Sequence, residues 1–215
     1  MTEIRDYWLR QLIGGAKQLS VGLDYAQCTR MLDYLEILER WNRRFNLTAV
    51  RDPATVVPRH LLDSLSIADL IRGTEVLDMG SGAGLPGLPL AIALPDRNLT
   101  LLDANGKKTR FLEHCRMAIG LENLRVVHSR VEDHRPGGIY NTVVSRAFSS
   151  LPEIVRLSSH LLAPGGYWLA MKGELPQTEL QGLQQRGFAV QVRKLNVPQT
   201  EGIRNVVICQ EGARQ

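Results

Sequence analysis

The sequence predicts an α/β fold in which a seven-stranded, mostly parallel sheet is preceded by a helical extension. Residues 1–70 carry apolar side chains at helical spacing, whereas short strand-like and helix-like segments alternate from residue 74 onward. The last two strand-like segments are separated by a short loop, so we expect them to pair as an antiparallel hairpin. These observations divide the 215 residues into a helical extension, 1–70, and an α/β domain, 71–215.

Helical spacing of apolar residues predicts the extension. Between residues 23 and 45 these residues recur every three or four positions, with acids and arginines between them. Val56-Val57-Pro58 interrupts the pattern, because proline lacks the backbone donor that a continuing helix needs. The apolar spacing resumes at Leu61, so a further helical stretch is expected before residue 70.

The strands are predicted where short apolar runs stand between turn signals. They cover residues 75–79, 98–103, 123–128, 141–146, 166–172, 188–195 and 203–209. We expect helices between the first five strands and a polar helix at residues 177–186. The loop of residues 196–202 contains Pro, Gly and Thr, which favours antiparallel pairing of the last two strands.

Composition and cysteine spacing exclude several classes of protein. The three cysteines lack CxxC spacing, which argues against a disulfide framework or a zinc site and favours a reducing compartment. The five histidines stand singly, so no metal site is predicted. No apolar run is long enough to cross a bilayer and the first residues lack a secretory pattern. We therefore expect a cytoplasmic protein without a membrane partner. The sequence carries no signal for oligomeric state, and a monomer is the default expectation.

The net charge of +4 is concentrated in one window of the extension. Residues 40–60 contain one acid, Asp52, and five arginines: Arg40, Arg43, Arg44, Arg51 and Arg59. A basic strip beside a ligand-binding domain suits a polyanionic substrate such as nucleic acid. An ordinary solvated surface is the alternative interpretation of the same charges.

A glycine-rich turn stands between the first strand and the next predicted helix. Residues 78–84 read DMGSGAG, and glycines such as Gly80 and Gly82 let the backbone come close to a ligand. Residues 82–87 also fit the dinucleotide pattern G-x-G-x-x-G, with Asp103 about 20 residues further on. Asp78 would repel a pyrophosphate but attract the ammonium group of S-adenosylmethionine, so we predict a methyl donor. A structural turn without a ligand is the remaining alternative.

Residues after the second and third strands are candidate donor contacts, because open α/β sheets bind ligands beyond the carboxyl ends of their strands. Asp103 is predicted to accept hydrogen bonds from ribose hydroxyls, with a helix N-cap as the alternative. Glu132 is predicted to accept from an adenine amino group while Val131 packs on the ring. A solvent-facing loop is the alternative for that pair.

The ends of the fourth and fifth strands face the expected acceptor. Arg146 and Phe148 are predicted to border a base there, since arginine can stack on a base or pair with phosphate. Lys172 ends the fifth strand as Arg146 ends the fourth, and it is predicted to contact the same acceptor. The alternative is a surface lysine whose side chain lies along apolar neighbours. No NPPY or Pro-Cys sequence and no general base stands nearby, which favours an acceptor with a free lone pair, such as guanine N7. Transfer would then depend on positioning and electrostatics.

Taken together, these motifs resemble the RsmG family, also called GidB, over nearly the whole chain. The resemblance rests on residues 44–48 (RFNLT), 59–64 (RHLLDS), 78–91, 101–103, 107–108, 111–112, 145–148 (SRAF) and 172–173. Members of this family are bacterial enzymes that methylate N7 of guanine 527 in the decoding-region loop of 16S ribosomal RNA.

The resemblance implies a Rossmann-like class I methyltransferase fold, S-adenosyl-L-methionine as cofactor, and 16S rRNA or the small ribosomal subunit as partner. It implies donor contacts at Gly80, Leu85, the Val131-Glu132 pair and Arg146, and Arg146 is also the catalytic candidate. RNA contacts are predicted at six residues: Arg43, Arg44, Arg51, Arg59, Phe148 and Lys172.

Three other functions remain compatible with the sequence. A small-molecule methyltransferase would not need the basic window of residues 40–60. An NAD-dependent oxidoreductase would use the same glycine pattern with a different cofactor. A non-catalytic RNA-binding module would keep a donor site that no longer functions.

Overall fold

A seven-stranded sheet organises the computed structural model, which describes residues 2–212. The strands are β1 (Glu75–Met79), β2 (Asn98–Asp103), β3 (Leu124–His128), β4 (Tyr140–Arg146), β5 (Leu162–Lys172), β6 (Phe188–Lys194) and β7 (Asn205–Glu211). Their order is β3-β2-β1-β4-β5-β7-β6, and β7 pairs antiparallel with both β5 and β6. The predicted mostly parallel sheet with an antiparallel last strand is therefore confirmed.

Eight α-helices accompany the sheet within the described residues. They are α1 (Thr2–Gln18), α2 (Tyr25–Phe45), α3 (Pro53–Val56), α4 (Asp63–Leu65), α5 (Gly87–Ala93), α6 (Gly106–Ile119), α7 (Leu151–Ser158) and α8 (Gln177–Gln185). A capping box fixes the start of α2, because the Asp24 carboxylate accepts from the Gln27 amide at 2.7 Å and the Gln27 side chain accepts from the Asp24 amide at 2.9 Å. The helix thus begins close to where the apolar periodicity begins.

The predicted interruption at Val56-Val57-Pro58 is wrong. A π-helical segment, Val57–Leu62, joins α3 directly to α4, so the chain stays helical from Pro53 to Leu65. Pro58 lies inside this continuous helix and has no amide to donate to the preceding turn. The carbonyls of that turn are satisfied by side chains of α1, because Pro53 accepts from Trp8 Nε1 at 2.8 Å and Ala54 accepts from Gln11 Nε2 at 3.0 Å. Wide helical turns of this kind are often found at functional sites, and this one carries Arg59 and His60.

The predicted helix between β3 and β4 is also wrong. Only a three-residue 3₁₀ turn, Val131–Asp133, forms there. The chain beyond it contains Pro136, Gly137 and Gly138, which disfavour helix and leave the connection irregular. The connection therefore lies open beside the carboxyl end of β3.

The two faces of the sheet belong to two separate hydrophobic clusters. Along β1, Val76 joins the cluster beneath α2, α5 and α6, whereas Leu77 and Met79 join the cluster beneath α7 and α8. This alternation is the period of a strand buried on both faces. Asp78 shares the parity of Val76 and lies on the α5 side. Helices α1 and α2 enlarge that first cluster, so the helical extension covers one face of the sheet; its boundary at residue 70 stays a prediction.

Candidate functional site

Two cavities adjoin at the carboxyl ends of the parallel strands. The glycine-loop cavity, about 400 Å³, is lined by Gly80, Leu102, Asp103, Ala104, Lys108, Ser129, Arg130, Val131, Glu132, Ala147, Phe148 and Leu157. The arginine cavity, about 510 Å³, is lined by Thr48, Ala49, Val50, Arg59, His60, Asp63, Arg146, Ala147, Met171, Lys172, Gly173, Leu195, Arg204 and Asn205. Both volumes lie in the range of small-molecule sites. Ala147 lines both cavities, so they meet at this residue.

Three left-handed glycines shape the loop after β1. Gly80, Gly82 and Gly84 have φ of 70°, 59° and 87°, a region that side-chained residues rarely adopt. The amides of Gly80 and Ser81 donate to the Leu102 carbonyl at 2.8 and 3.1 Å, which ties the loop to the end of β2. Of the three glycines, Gly80 lines the glycine-loop cavity, and the ligand contact predicted at Gly82 stays a prediction.

Gly80→Ala is expected to weaken binding of S-adenosylmethionine, the predicted ligand, at least about tenfold and to destabilise the fold by about 1–3 kcal/mol. A Cβ at Gly80 would clash with Phe148 Cδ2, and the residue would keep a φ of 70°. Calorimetric titration and thermal unfolding measure both effects. Gly182→Ala is the control, because Gly182 lies in α8 with nothing within 4 Å of the added carbon. An affinity at Gly80→Ala equal to that of the control would contradict the close approach.

Asp103 lies at the floor of the glycine-loop cavity. Its Oδ2 accepts from the Gly82 amide at 2.9 Å and its Oδ1 accepts from the Asn105 amide at 2.8 Å. Lys108 Nζ is 3.7 Å from Oδ2. The N-cap of α6 is Asn105, so the alternative role of Asp103 as that cap does not hold. Its role toward ribose hydroxyls stays a prediction.

The other predicted donor contacts divide between the cavity and the core. Val131 is buried and Glu132 is exposed, and both line the glycine-loop cavity. Leu85 is 3% exposed and belongs to the main hydrophobic cluster, away from the lining of either cavity. The adenine contact of Val131 and Glu132 stays a prediction, whereas Leu85 contributes to packing in the core.

Asp78 lies beneath the glycine loop and is fully buried. Its Oδ2 accepts from the Gly87 amide at 3.0 Å, and its Oδ1 has no hydrogen-bond partner among the described residues. Burial raises the pKa of this carboxyl to about 7, although the Gly87 bond and the charge of Arg146 act against the rise. Asp78 lines neither the glycine-loop cavity nor the arginine cavity, so its predicted contact with the ammonium group of a methyl donor stays a prediction.

Arg146 and Phe148 point to different cavities. The residue between them, Ala147, has φ of 51°, an uncommon conformation for a non-glycine residue. Arg146 lines the arginine cavity, whereas Phe148 lies over Gly80 in the glycine-loop cavity. The predicted RNA contact at Phe148 therefore remains a prediction for a ring that contacts the glycine loop.

A buried carboxylate holds Arg146 in place. Asp63 Oδ2 accepts from Arg146 Nη1 at 2.8 Å, and the same guanidinium donates to the Arg59 carbonyl at 3.2 Å. Arg204 Nε lies 3.4 Å from Asp63 Oδ1 on the other side. Sequence reasoning did not assign a role to Asp63, although it lies in the RHLLDS motif. Arg204 lies in no motif, and only the pairing of β7 with β5 brings it here.

His60 is buried beside this ion pair. Its Nε2 lies 3.1 Å from Thr48 Oγ1, and its Nδ1 has no partner among the described residues. Burial, followed by the charge of Arg146, lowers the pKa of His60 to about 4. The ring is therefore neutral near pH 7.

His60 is expected to make the fold less stable as pH falls from about 6.5 toward 4. In that window the unfolded chain binds a proton that the folded state excludes, so about 2 kcal/mol of unfolding free energy is lost between pH 7.5 and 5. Asp78, whose pKa is raised, gains stability over the same pH range and masks this loss in wild type, but it does so equally in the variant. Urea unfolding should therefore show that the change in unfolding free energy from pH 7.5 to 5 is about 2 kcal/mol more favourable in His60→Gln than in wild type. The same change in His60→Gln as in wild type, or an equal difference in the exposed control His114→Gln, would contradict this assignment.

Two of the remaining predicted RNA contacts line the arginine cavity. They are Arg59 and Lys172, and Lys172 Nζ donates to the Ser149 carbonyl at 2.5 Å. Arg43, Arg44 and Arg51 are exposed on the helical extension and do not line this cavity. Their contact with RNA stays a prediction.

Neither a metal cluster nor a membrane span is found in residues 2–212. No group of three or more His, Cys, Asp or Glu side chains is arranged to hold an ion there. No helix in that part of the chain combines the length and apolar character needed to cross a bilayer.

Comparisons with known proteins match nearly the whole chain. The GidB family model, described as rRNA small subunit methyltransferase G, matches residues 27–207. A protein of Cellvibrio japonicus named Ribosomal RNA small subunit methyltransferase G is 43% identical, over 98% of each chain. One of the same name from Pseudomonas aeruginosa (strain LESB58) is 46% identical, over 99% of this chain and 100% of its own. In fold, the glycopeptide N-methyltransferase MtfA, solved with S-adenosyl-L-methionine, is similar with a TM-score of 0.62 at 11% identity, over 72% of this chain and 88% of that one.

Proposed function

The chain belongs to the GidB family of S-adenosylmethionine-dependent small-subunit rRNA methyltransferases, and we propose that its acceptor atom is N7 of a guanine in 16S rRNA, guanine 527 by the family resemblance. The observation that carries this proposal is the junction at Ala147. A cavity suited to a nucleoside donor and a cavity rich in cations share this residue in their linings.

The residues of the glycine-loop cavity fit the donor. Left-handed glycines leave room for close approach, and Asp103 offers carboxylate oxygens at the end of β2. Val131 and Glu132 supply an apolar surface and an acceptor for a purine ring with an exocyclic amine. When bound, S-adenosylmethionine supplies an electrophilic methyl group on a cationic sulfur.

The arginine cavity fits a nucleotide of an RNA loop. Arg59, Arg146, Lys172 and Arg204 line it with one carboxylate, Asp63, so its field favours an anionic chain. Sequence-specific RNA recognition usually targets unstacked loop bases. The exposed Arg43, Arg44 and Arg51 extend this field over the helical extension, where they would contact phosphates.

The acceptor chemistry needs no general base. Guanine N7 carries a free lone pair, and no proton leaves the base during methylation. The one histidine lining the arginine cavity, His60, is buried and neutral with a pKa lowered to about 4. The protein therefore contributes by orienting the base and excluding water, with Arg146 at the edge of the arginine cavity next to Ala147.

Methyl transfer to ribosomal particles tests the proposal. Small subunits and naked 16S rRNA from cells lacking this protein would be incubated with labelled donor, and the product nucleosides mapped. We expect 7-methylguanosine at one small-subunit site, with activity falling steeply as salt rises. Label at another atom or another nucleotide would overturn the acceptor assignment. Salt-insensitive transfer to a low-mass acceptor, without labelled RNA, would favour a small-molecule methyltransferase.

A further inference from the structure

The arginine cavity contains a hydrogen-bond donor and an acceptor side by side. We propose that Arg146 and Asp63 select guanine: Arg146 donates to O6, and Asp63 accepts from the N1–H and N2–H groups, so that N7 is directed toward Ala147 and the glycine-loop cavity. This inference rests on the proposed function and adds a specificity-determining residue, Asp63, to it.

Asp63 has a carboxylate oxygen that can accept a hydrogen bond from a ligand, as such a role requires. The residue is 5% exposed and lines the arginine cavity, yet its Oδ1 has no hydrogen-bond partner among the described residues. Arg204 Nε is close enough for an ion pair, at 3.4 Å, but does not form an aligned hydrogen bond to this oxygen. A buried acceptor without a donor is costly, so the site gains when a ligand supplies one.

The order of donor and acceptor on the two side chains matches one edge of guanine. Arg146 Nη1 donates to Asp63 Oδ2 at 2.8 Å and to the Arg59 carbonyl at 3.2 Å, which uses both of its N–H groups. The Nε and Nη2 groups of the same guanidinium are therefore the donors beside Asp63 that would reach O6. Guanine presents O6, N1–H and the N2 amino group in that order along its pairing edge. Adenine presents an amino group and then a lone pair along the same edge. Its amino group would face the N–H donors of Arg146, and its lone pair would face the carboxylate of Asp63, so both contacts would be repulsive.

The same alignment directs N7 to the donor. In guanine, N7 adjoins O6 on the side away from N1. Ala147 adjoins Arg146 on the chain and lines both cavities. In the proposed orientation N7 lies on the Arg146 side of the base, next to the residue where the two cavities adjoin.

A carboxylate at N1–H also favours the reaction. The N7 lone pair forms the new bond to the methyl carbon as the carbon–sulfur bond breaks and its electron pair stays on sulfur, so positive charge passes to the base. No proton moves. Negative charge from Asp63 near N1–H stabilises that charge and offsets the nearby guanidinium of Arg146.

Inosine provides the test, because it lacks only the N2 amino group of guanosine. Small subunits would be reconstituted with 16S rRNA carrying guanosine or inosine at the methylated position, and single-turnover kcat/KM measured for both. We expect wild type to prefer guanosine at least about tenfold. In Asp63→Asn the amide oxygen stays with Arg146, which places an NH₂ where Oδ1 was. Guanosine transfer should then fall about 100-fold and the preference should shrink below about twofold.

The control replaces a carboxylate that pairs with arginine elsewhere. Asp69 accepts from Arg193 at 2.6 Å on the surface, and Asp69→Asn should keep the wild-type preference. Equal transfer to guanosine and inosine by wild type would overturn the proposal while leaving the proposed function, methyl transfer to 16S rRNA, intact. This comparison uses wild-type protein alone, so it does not depend on a variant that folds. An undiminished preference in Asp63→Asn would also overturn it. Transfer to neither particle would overturn the proposed function itself.

Discussion

Replacing Arg146 with alanine is expected to lower kcat for methyl transfer to small subunits about 100-fold or more, while affinity for S-adenosylmethionine changes less than about threefold. The guanidinium lines the arginine cavity, where it is fixed by Asp63 at 2.8 Å and by the Arg59 carbonyl at 3.2 Å. It does not line the glycine-loop cavity. The variant should therefore bind donor and misplace the base.

Loss of stability must be separated from loss of positioning in this variant. Among residues 2–212, Arg146→Ala leaves the buried Asp63 with Arg204 as its one ion-pair partner, and breaking a buried ion pair costs about 3–5 kcal/mol. Arg146→Lys keeps the charge and loses the planar fork, so it should restore thermal stability more than kcat. Arg193→Ala, which breaks an exposed pair with Asp69, should change neither.

Two results would contradict this role. If Arg146→Ala bound S-adenosylmethionine at least ten times more weakly, the donor contact implied by the family resemblance would be the correct one. If Arg146→Lys restored kcat fully, a point charge would suffice and oriented hydrogen bonding would not be needed.

Periodicity and turn chemistry predicted most of the fold. The β1 and β2 bounds follow directly from apolar runs, and the glycine turn fixes the loop between β1 and α5. The two wrong predictions have different causes. At Pro58, packing against the core overrides the local signal and the chain continues as a π-helical segment. Between β3 and β4, the residues after Val131–Asp133 cannot sustain the helix that we expected.

The site could be predicted only where its residues follow strand ends. Asp103, Glu132 and Arg146 do so, because parallel strands deliver their carboxyl ends to one edge. Asp63 and Arg204 come from a helix and from the strand hairpin, far apart in sequence. Their meeting depends on how the helical extension packs against the β5–β7 pair, which local patterns do not encode.

Asp78→Asn is expected to weaken binding of S-adenosylmethionine at least about 30-fold while changing the affinity for 5′-methylthioadenosine less than threefold. The second ligand keeps the nucleoside and lacks the amino acid tail with its ammonium group. Asn retains an oxygen for the Gly87 amide, which donates to Asp78 Oδ2 at 3.0 Å in the wild type, so the loop should keep its shape. Calorimetric titration of both ligands measures the difference.

The same substitution should stabilise the ligand-free protein above pH 7. Burial raises the pKa of Asp78 to about 7, above its unfolded value of 3.8, so the folded state holds a proton that is released as pH rises. Wild type therefore loses stability as pH rises from 3.8 to about 7, and the neutral amide of Asn does not undergo this loss. A higher melting temperature at pH 8 together with selective loss of donor affinity would mean that the buried charge is kept for binding. Equal weakening of both ligands would mean instead that Asp78 only braces the glycine loop through Gly87.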